Sequence, residues 1–323
     1  MLISFLLSAL LAAAVALPGG PPVGMDYLAY DAANGRIWVP AGNTGNVDVV
    51  EVATGKVTSV GGFPTAPPRR PGRPRMGPSS AAVGEGVVWI GNRANNEICA
   101  VDARTLARGA CHHLPSMPDG LAYVAATHEV WVTTPADRAI TVVDVSSPKS
   151  SPPALIKIDG DPEGLAVDAA RGLFYTNVED KDRTLEIDAR TRKIVASWPA
   201  GCGAAGPRGL ALDEGRRLLF VACTDGASVR DVAHGGDGKE VGRLKTAGGV
   251  DNIDYAAKRG LLFIAAGMDA TLTIARVNAT GALAAVASIP TAKGARCVVA
   301  ATDGTAYVAD SAGGRLIVVK PPP

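Results

Sequence analysis

The fold is decided by the stretch PEGLAVDAARGLFYTN, residues 162–177. It contains two short apolar runs, and residues 184–188 and 193–198 supply two more. Clusters of Gly, Asp, Asn and Arg separate these four runs, and none of the runs is long enough for a helix. Short apolar runs bounded by turn residues are typical of strands. The stretch therefore begins a module of four strands joined by tight connections.

An aromatic residue recurs at the same place in the second run of each module. The seven aromatic residues are Trp38, Trp89, Trp131, Tyr175, Phe220, Phe263 and Tyr307, with spacings of 51, 42, 44, 45, 43 and 44 residues. A period of about 40 to 45 residues with four strands per unit is typical of a β-propeller. The chain is therefore predicted to be all-β, a single seven-bladed β-propeller of four-stranded antiparallel blades over residues 17–323. We interpret the aromatic residues as core residues between blades, not as a cofactor cage.

The second strand of the module carries the residues YTN at 175–177, and residues 184–188 and 193–195 follow it. This pattern resembles the YVTN family of seven-bladed propeller repeats. Residues 131–145 and 37–50 have a similar order of apolar and polar residues, although the literal motif occurs in one blade only. The resemblance covers essentially the whole chain after the N-terminal segment. It implies an exported or surface-associated prokaryotic propeller, and it implies architecture more firmly than chemistry.

The N-terminal segment has the composition of a signal peptide. No charged side chain occurs between Met1 and Met25, and residues 2–17 are almost wholly apolar and end in the small residues AVA before Leu17. We therefore predict a signal peptide over residues 1–16 and a periplasmic or secreted protein. An uncleaved membrane anchor is an alternative, because about 17 to 20 apolar residues can span a bilayer.

The repeat offers a third interpretation of the same segment. The last module supplies only three runs before the chain ends in three prolines, so that its fourth strand is missing. An alignment of residues 288–290 with residues 16–18 would make residues 11–17 that strand. The N-terminal segment would then complete the last blade and close the ring. The same residues cannot be both a removed leader and a strand.

Five cysteines offer two disulfide pairs. Cys99 and Cys111 are equidistant from a turn at Thr105, so a hairpin would place them opposite each other. Cys202 and Cys223 should share a face of the fifth blade, and Cys297 is left unpaired. These pairings suit an oxidising compartment. The alternative is five small buried thiols in a cytosolic protein.

Charge is nearly balanced along most of the chain. There are 32 basic and 31 acidic residues, which does not imply a nucleic-acid surface. The exception is PPRRPGRPR, residues 67–75, which has four arginines and accounts for the long first spacing. Its prolines and like charges predict an extended, solvated loop inserted between the first two blades. A clamp on an anion or an acidic partner is the alternative.

The residue after the opening position of each module is predicted to line the mouth of the central channel, where connections into the first strands gather. Around the ring these residues are Asp26, Ser79, Asp119, Glu163, Arg208, Asp251 and Arg296. Asp251 lies between Arg208 and Arg296, which indicates an ion-pair network. Asp119 and Glu163 are adjacent without a ring cation, so they should either have raised pKa values or hold a cation such as Ca²⁺. We predict that the six charged residues bind a polar ligand. A hydrated funnel without a physiological ligand is the alternative.

Motifs for catalysis are scarce. The four histidines have no zinc-ligand spacing, and Arg108 stands where haem attachment at Cys111-His112 would need a second cysteine. Residues 206–211, GPRGLA, resemble the opening strand of sugar-lactonase propellers, but Gly209 stands where that family has a histidine. The loss of this imidazole puts lactone hydrolysis in doubt.

The prediction is therefore an exported, monomeric binding module with no catalytic residues, no resident cofactor and no metal apart from the possible cation at Asp119 and Glu163. Its partner would be a small polar ligand or a protein. One alternative is a lactonase-like or metal-assisted hydrolase that uses Asp119, Glu163 and Asp251. Another is a structural protein of the cell envelope.

Overall fold

A ring of seven antiparallel sheets forms the molecule. The computed structural model describes residues 13–72, 74–147, 151–233 and 238–322. Within these residues 28 strands form seven four-stranded sheets, and no helix is long and apolar enough to cross a membrane. The predicted seven-bladed β-propeller is confirmed. The calls on residues 1–12, Arg73 and His234 lie outside the described residues.

The strands are numbered in chain order, and the blades are numbered in the order in which their first strands occur. β1 is Ala13–Ala16. Blade 1 contains β2 (Ala29–Asp31), β3 (Arg36–Ala41), β4 (Asn46–Glu51) and β5 (Val57–Val60). Blade 2 contains β6 (Pro78–Gly84), β7 (Val87–Asn92), β8 (Glu97–Asp102) and β9 (Arg108–His113). Blade 3 contains β10 (Leu121–Val124), β11 (Glu129–Thr134), β12 (Ala139–Asp144) and β13 (Ala154–Lys157).

The remaining blades follow the same order from the channel outward. Blade 4 contains β14 (Pro162–Asp168), β15 (Leu173–Val178), β16 (Arg183–Asp188) and β17 (Lys193–Pro199). Blade 5 contains β18 (Pro207–Asp213), β19 (Leu218–Cys223), β20 (Gly226–Asp231) and β21 (Lys239–Lys245). Blade 6 contains β22 (Val250–Ala256), β23 (Leu261–Ala266), β24 (Thr271–Val277) and β25 (Leu283–Pro290). Blade 7 contains β26 (Val298–Ala300), β27 (Ala306–Asp310) and β28 (Arg315–Val319), together with β1. Single 3-10 turns lie at Gly42–Thr44, Pro135–Asp137, Glu179–Lys181, Gly203–Ala205 and Ala257–Arg259.

Aspartates close the first turn of several blades. The Asp168 carboxylate accepts a hydrogen bond from the Arg171 backbone N–H at 2.9 Å and pairs with the Arg171 guanidinium at 2.7 Å. Asp213 and Arg216 repeat both contacts in blade 5 at the same distances. A short side-chain acceptor stabilises a tight turn by bonding the backbone a few residues on. The Asp and Arg residues in these clusters of the sequence therefore stabilise the turns between strands.

The recurring aromatic residues are buried between blades. Trp38, Trp131 and Phe220 are fully buried. The Trp131 ring of blade 3 lies 4.9 Å from the Phe174 ring of blade 4, centroid to centroid. Each recurring aromatic residue thus belongs to the apolar cluster between its own blade and the next, as the period of the sequence implied.

Both ends of the chain build blade 7. β1 pairs antiparallel with β28, from Ala13 opposite Val318 to Ala16 opposite Arg315. The backbone N–H of Leu17 continues the contact by donating to the Gly314 carbonyl at 2.9 Å. Of the residues considered for a missing fourth strand, 11–17, the described residues Ala13–Ala16 form one in the structure. Removal of a signal peptide after Ala16 stays a prediction, and it would take β1 from the blade.

Two disulfides form as the spacing predicted. Cys99 of β8 is bonded to Cys111 of β9, directly opposite in the strand register. Cys202, in the loop that enters blade 5, is bonded to Cys223 at the end of β19. Cys297 is buried and unpaired. The interpretation as five free thiols is therefore wrong for the described structure.

Candidate functional site

Arg93 joins two acids of the ring. It lies in the connection between β7 and β8, and its guanidinium is 2.8 Å from Asp26 Oδ2 and also contacts Asp119. Burial opposes the charge of Arg93, but the carboxylates of Asp26 and Asp119 outweigh it and raise its pKa. The ring position itself offers no cation beside Asp119. The neighbouring loop supplies this cation. Its signal in the sequence is an arginine in the connection between the second and third strands of blade 2.

Tyr27 reaches across the channel from blade 1. Its hydroxyl donates to Asp119 Oδ2 at 3.3 Å and lies 3.1 Å from Glu163 Oε1. A side chain at Gly120 would place its Cβ 3.3 Å from the Tyr27 ring, so the small residue leaves room for the phenol. Burial and the carboxyl groups of Asp119 and Glu163 raise the pKa of Tyr27. Tyr27 belongs to no charged ring position, and its signal in the sequence is that it stands where blades 3, 4 and 5 have glycine.

Glu163 makes no salt bridge to any residue that the structure describes. Burial raises the pKa of its carboxyl well above the usual range, and the nearby acids Asp119 and Asp251 raise it further. Burial also raises the pKa of Asp119, although the Arg93 guanidinium works in the opposite direction. The predicted pair of adjacent acids thus shares a phenol and holds its protons more tightly than free carboxyls do.

The arginine side of the ring differs from the predicted network in one pair. Arg296 Nε is 3.2 Å from Asp251 Oδ2, as expected. Arg208 forms its salt bridge with Glu179, from the turn between β15 and β16, and not with Asp251. Burial raises the pKa of Asp251, while Arg296 lowers it. Glu179, an acid of a loop, is therefore the partner of Arg208 in place of the predicted Asp251.

Cys297 lies beside two acids of the mouth. Its Sγ is 3.6 Å from Asp26 Oδ1, and ligand atoms of Cys297, Asp26 and Asp251 all lie within 4.8 Å of one another. Burial and both carboxylates raise the pKa of the thiol well above its usual range. Because Asp26 pairs with Arg93 and Asp251 pairs with Arg296, a metal ion here would meet two guanidinium groups. The arrangement favours a protonated thiol.

Three pockets open at the mouth, and we call them the mouth pockets. They have volumes of about 190, 460 and 370 Å³, and Arg296 borders on all three. Asp26 and Arg93 border on the first, Arg208 and Asp251 on the second, and Cys297 on the third. Asp119 and Glu163 border on none of them. The six predicted residues therefore divide into four that face the pockets and two that lie beside Tyr27.

A further cavity of about 390 Å³ lies within the channel and is bordered by Tyr27 and by first-strand residues of the blades. Asp254 borders on it at a position where blades 1 to 5 have alanine. The Asp254 carboxyl accepts hydrogen bonds from the backbone N–H groups of Ala300 at 2.7 Å and Tyr255 at 2.8 Å. Burial raises its pKa. The acid thus satisfies backbone donors between blades 6 and 7.

Solved structures with the same fold come from unrelated contexts. The chain is similar to the Myceliophteria thermophila Cps50 (Swd1) beta-propeller domain, with a TM-score of 0.74, 13% identity and coverage of 95% of this chain and 99% of that one. For streptogramin B lyase the TM-score is 0.74, with 11% identity and coverage of 96% and 97%. For Kuenenia stuttgartiensis hydrazine synthase it is 0.76, with 15% identity and coverage of 94% and 96%.

No protein-family model and no curated protein matches the chain. At these identities the structural likeness establishes the fold alone. A propeller fold is compatible with a binding or interaction module.

Proposed function

We propose that this protein is an exported, YVTN-type binding module that takes a small polar ligand at the mouth of its channel without chemical conversion. The sequence pattern around Tyr175 supports the family. The two disulfides support an oxidising compartment. The mouth pockets support the site, since concave clefts with a few convergent polar groups are where small ligands bind.

The position of Arg296 carries this proposal. Its Nε is held by Asp251, yet 54% of its side chain is exposed and it borders on every mouth pocket. A guanidinium has five N–H donors, so the pair with Asp251 leaves others for a ligand. A side chain fixed by one partner and open to another loses little freedom on binding, which favours affinity.

A thermal-shift screen tests the proposal. Small polar compounds of several charge classes are added to the wild-type protein, to Arg296→Gln and to Arg276→Gln, an exposed arginine of β24 that serves as the control. A ligand of the mouth should raise Tm for the wild type and the control and should lose most of this effect with Arg296→Gln. The proposal fails if no compound stabilises the wild type, or if Arg296→Gln responds as the control does.

A second candidate function is acid–base hydrolysis with Glu163 as general acid. The raised pKa of Glu163 favours it, because a general acid must keep its proton near neutral pH. Glu163 borders on none of the mouth pockets, however, and its carboxyl contacts the Tyr27 hydroxyl. Lactone hydrolysis followed by acid release in wild type and Glu163→Gln would test it. Turnover that disappears in the variant supports an enzyme, and equal rates contradict this role.

The divalent cation at Asp119 and Glu163 remains a prediction. Asp119 contacts Arg93, and Tyr27 contacts both carboxyls, so an ion would have to replace these contacts. Calorimetric titration with Ca²⁺, Mg²⁺ and Mn²⁺ of the wild type and of the double variant Asp119→Ala, Glu163→Ala measures it. Heat that is lost in the double variant supports a cation site, and no heat from any ion means that there is none.

A further inference from the structure

We infer that the ligand of the mouth is a small organic anion with carboxylate or phosphate groups. This inference rests on the proposed function and names the chemical class that the same site takes. It starts from the charge of the mouth pockets. Their walls include five cationic side chains and two carboxylates; the cations are Arg75, Arg93, Arg208, Lys293 and Arg296, and the acids are Asp26 and Asp251.

Salt bridges neutralise only part of this positive charge. Arg93 is shared by Asp26 and Asp119, Arg208 pairs with Glu179, and Arg296 pairs with Asp251, as described above. Lys293 forms no salt bridge or hydrogen bond with any residue in the described parts of the chain. Its exposed side chain borders, with Arg296, on the two larger mouth pockets. An ammonium and a guanidinium beside one cleft are the groups that bind carboxylate and phosphate oxygens.

Arg75 adds a second cation without an acidic partner. Its Nη2 donates to the Thr65 hydroxyl at 3.1 Å, and it has no salt bridge in the part of the chain that the structure describes. Ala66 and Met76 exchange two backbone hydrogen bonds of 2.9 Å, which close the insertion at its base. The base therefore holds Pro74 and Arg75 beside Asp26 at the mouth. This placement favours Arg75, at the end of the insertion, as a group that holds an anion.

The largest mouth pocket also offers an apolar surface. Met268 borders on it and is 70% exposed, the highest exposure among the large apolar side chains that the structure describes. A Cβ at Gly267 would lie 3.1 Å from Arg296 Cβ, so the glycine lets the arginine lie close to this loop. A ligand with a carbon skeleton can cover the methionine while its acidic groups reach Lys293 and Arg296. These contacts together favour an organic anion over an inorganic one.

The acids that would repel such a ligand either lie outside the pocket walls or are paired with a guanidinium. Asp119 is 15% exposed and contacts Arg93 and Tyr27. Asp26 and Asp251 each have a guanidinium partner. The open cations therefore dominate the field that a ligand meets at the pocket walls.

Isothermal titration of the full chain tests the inference with four probes: citrate for carboxylates, glucose 6-phosphate for phosphate esters, inorganic phosphate, and glucose as the neutral comparison. We expect citrate or glucose 6-phosphate to bind with a Kd of about 1 mM or lower, more tightly than inorganic phosphate and glucose. Lys293→Glu should weaken this binding by about tenfold or more. Lys193→Glu, which reverses an exposed charge on β17, should leave it within about twofold of the wild type. Tighter binding of citrate would indicate a preference for carboxylates, and tighter binding of glucose 6-phosphate would indicate a preference for phosphate esters.

The inference is overturned if neither organic anion binds more tightly than glucose, or if Lys293→Glu and Lys193→Glu have the same effect. In the first case the thermal-shift screen separates two conclusions. A neutral or cationic compound whose stabilisation is lost in Arg296→Gln would keep the mouth as a binding site and would contradict its preference for anions. If no compound in the screen depends on Arg296, the mouth is not a binding site.

Discussion

Tyr27 shows how much one side chain can organise. It starts in blade 1, and its hydroxyl contacts the acids of blades 3 and 4. Asp119 also contacts Arg93, which bonds Asp26 one residue before Tyr27. Side chains of four blades are thus linked through one phenol and one guanidinium. Such buried polar networks stabilise a fold when all members are paired and cost stability when one partner is lost.

Removal of the Tyr27 hydroxyl should therefore destabilise the protein. We expect Tyr27→Phe to lower the free energy of unfolding by about 1 to 2 kcal/mol, because two buried carboxyls lose a partner. Tyr123→Phe is the control, since the Tyr123 hydroxyl contacts Glu85 and His128 at the exposed surface. Urea denaturation measures both. Equal losses of unfolding free energy in the two variants would mean that the buried contacts of Tyr27 stabilise the protein no more than the exposed contacts of Tyr123.

Glu163 should make stability depend on pH. Because its pKa is raised in the folded chain, the unfolded chain releases this proton first as pH rises. The wild type should therefore lose stability relative to Glu163→Gln from about pH 4.5 upward, until the pH passes the raised folded pKa. We expect the unfolding free energy of the wild type, relative to that of Glu163→Gln, to fall as the pH rises from 5 to 7.

Denaturant titrations at several pH values measure this difference. Glu51→Gln, at the end of β4 and away from the mouth, serves as the control variant. A difference between wild type and Glu163→Gln that stays constant with pH would contradict a raised pKa.

Among the elements, the two disulfides fasten an exposed outer strand and a loop to the strands beside them. The bond from Cys99 to Cys111 joins β8 to the exposed outer strand β9. The bond from Cys202 to Cys223 anchors the loop that enters blade 5, next to the Gly203–Ala205 turn. Each bond closes a short loop, with sequence separations of 12 and 21. Such bonds stabilise mainly by limiting the unfolded chain.

Loss of either disulfide should lower the free energy of unfolding by about 2 to 4 kcal/mol. The paired variants Cys99→Ser, Cys111→Ser and Cys202→Ser, Cys223→Ser test each bond, and reduction of the wild type should combine both effects. The control is Cys297→Ala, which has no disulfide to lose and should keep the full response to reductant. Thermal unfolding with and without reductant gives the measurement, and an unchanged Tm in both paired variants would contradict the prediction.

At the scale of the whole molecule, the ring is closed by strands from both ends of the chain. β1 is mostly exposed, with Val15 packed against the apolar cluster between blades 7 and 1. Its pairing gives β28 a partner on the outer side. A strand without a partner leaves a row of open backbone groups at the edge of a sheet. Closure by β1 thus protects the last blade.

A chain that starts at Leu17 should be less stable than one that starts at Ala13. The longer chain keeps β1 and is the matched control for the loss of residues 1–12. We expect the shorter chain to lose about 1 to 3 kcal/mol, because backbone pairs and the Val15 contact disappear together. Urea denaturation of both chains measures it. Equal stability would mean that β1 adds nothing to the ring.

Export is tested on the same segment. Mass spectrometry of the protein recovered from the periplasm or medium of an expressing cell should show a chain that begins at Leu17 if the signal peptide is removed as predicted. A chain that begins at Met1 would contradict cleavage and leave β1 in place.

The sequence by itself determined the blade count and indicated the two disulfide pairs. Both follow from local, periodic information: one buried ring per module marks the second strand, and the register of a hairpin places Cys99 opposite Cys111. A fixed period leaves a chain of this length few ways to bury its apolar faces, so the architecture could be worked out without coordinates. The same period predicts the ring of charged residues at the mouth, and the binding of a ligand by these residues stays a prediction.

Only the tertiary structure decided which of those residues meet. Alignment places Asp119, Glu163 and Arg208 on a circle, but the partners that they contact include Arg93, Tyr27 and Glu179, which come from other positions of the repeat. Loop paths and side-chain lengths are specific to each blade, so the period carries no information about them. The N-terminal segment is a second case, because an apolar stretch of small residues suits a leader and a strand equally. Its pairing with β28 is visible only in the folded chain, and its removal as a leader stays a prediction.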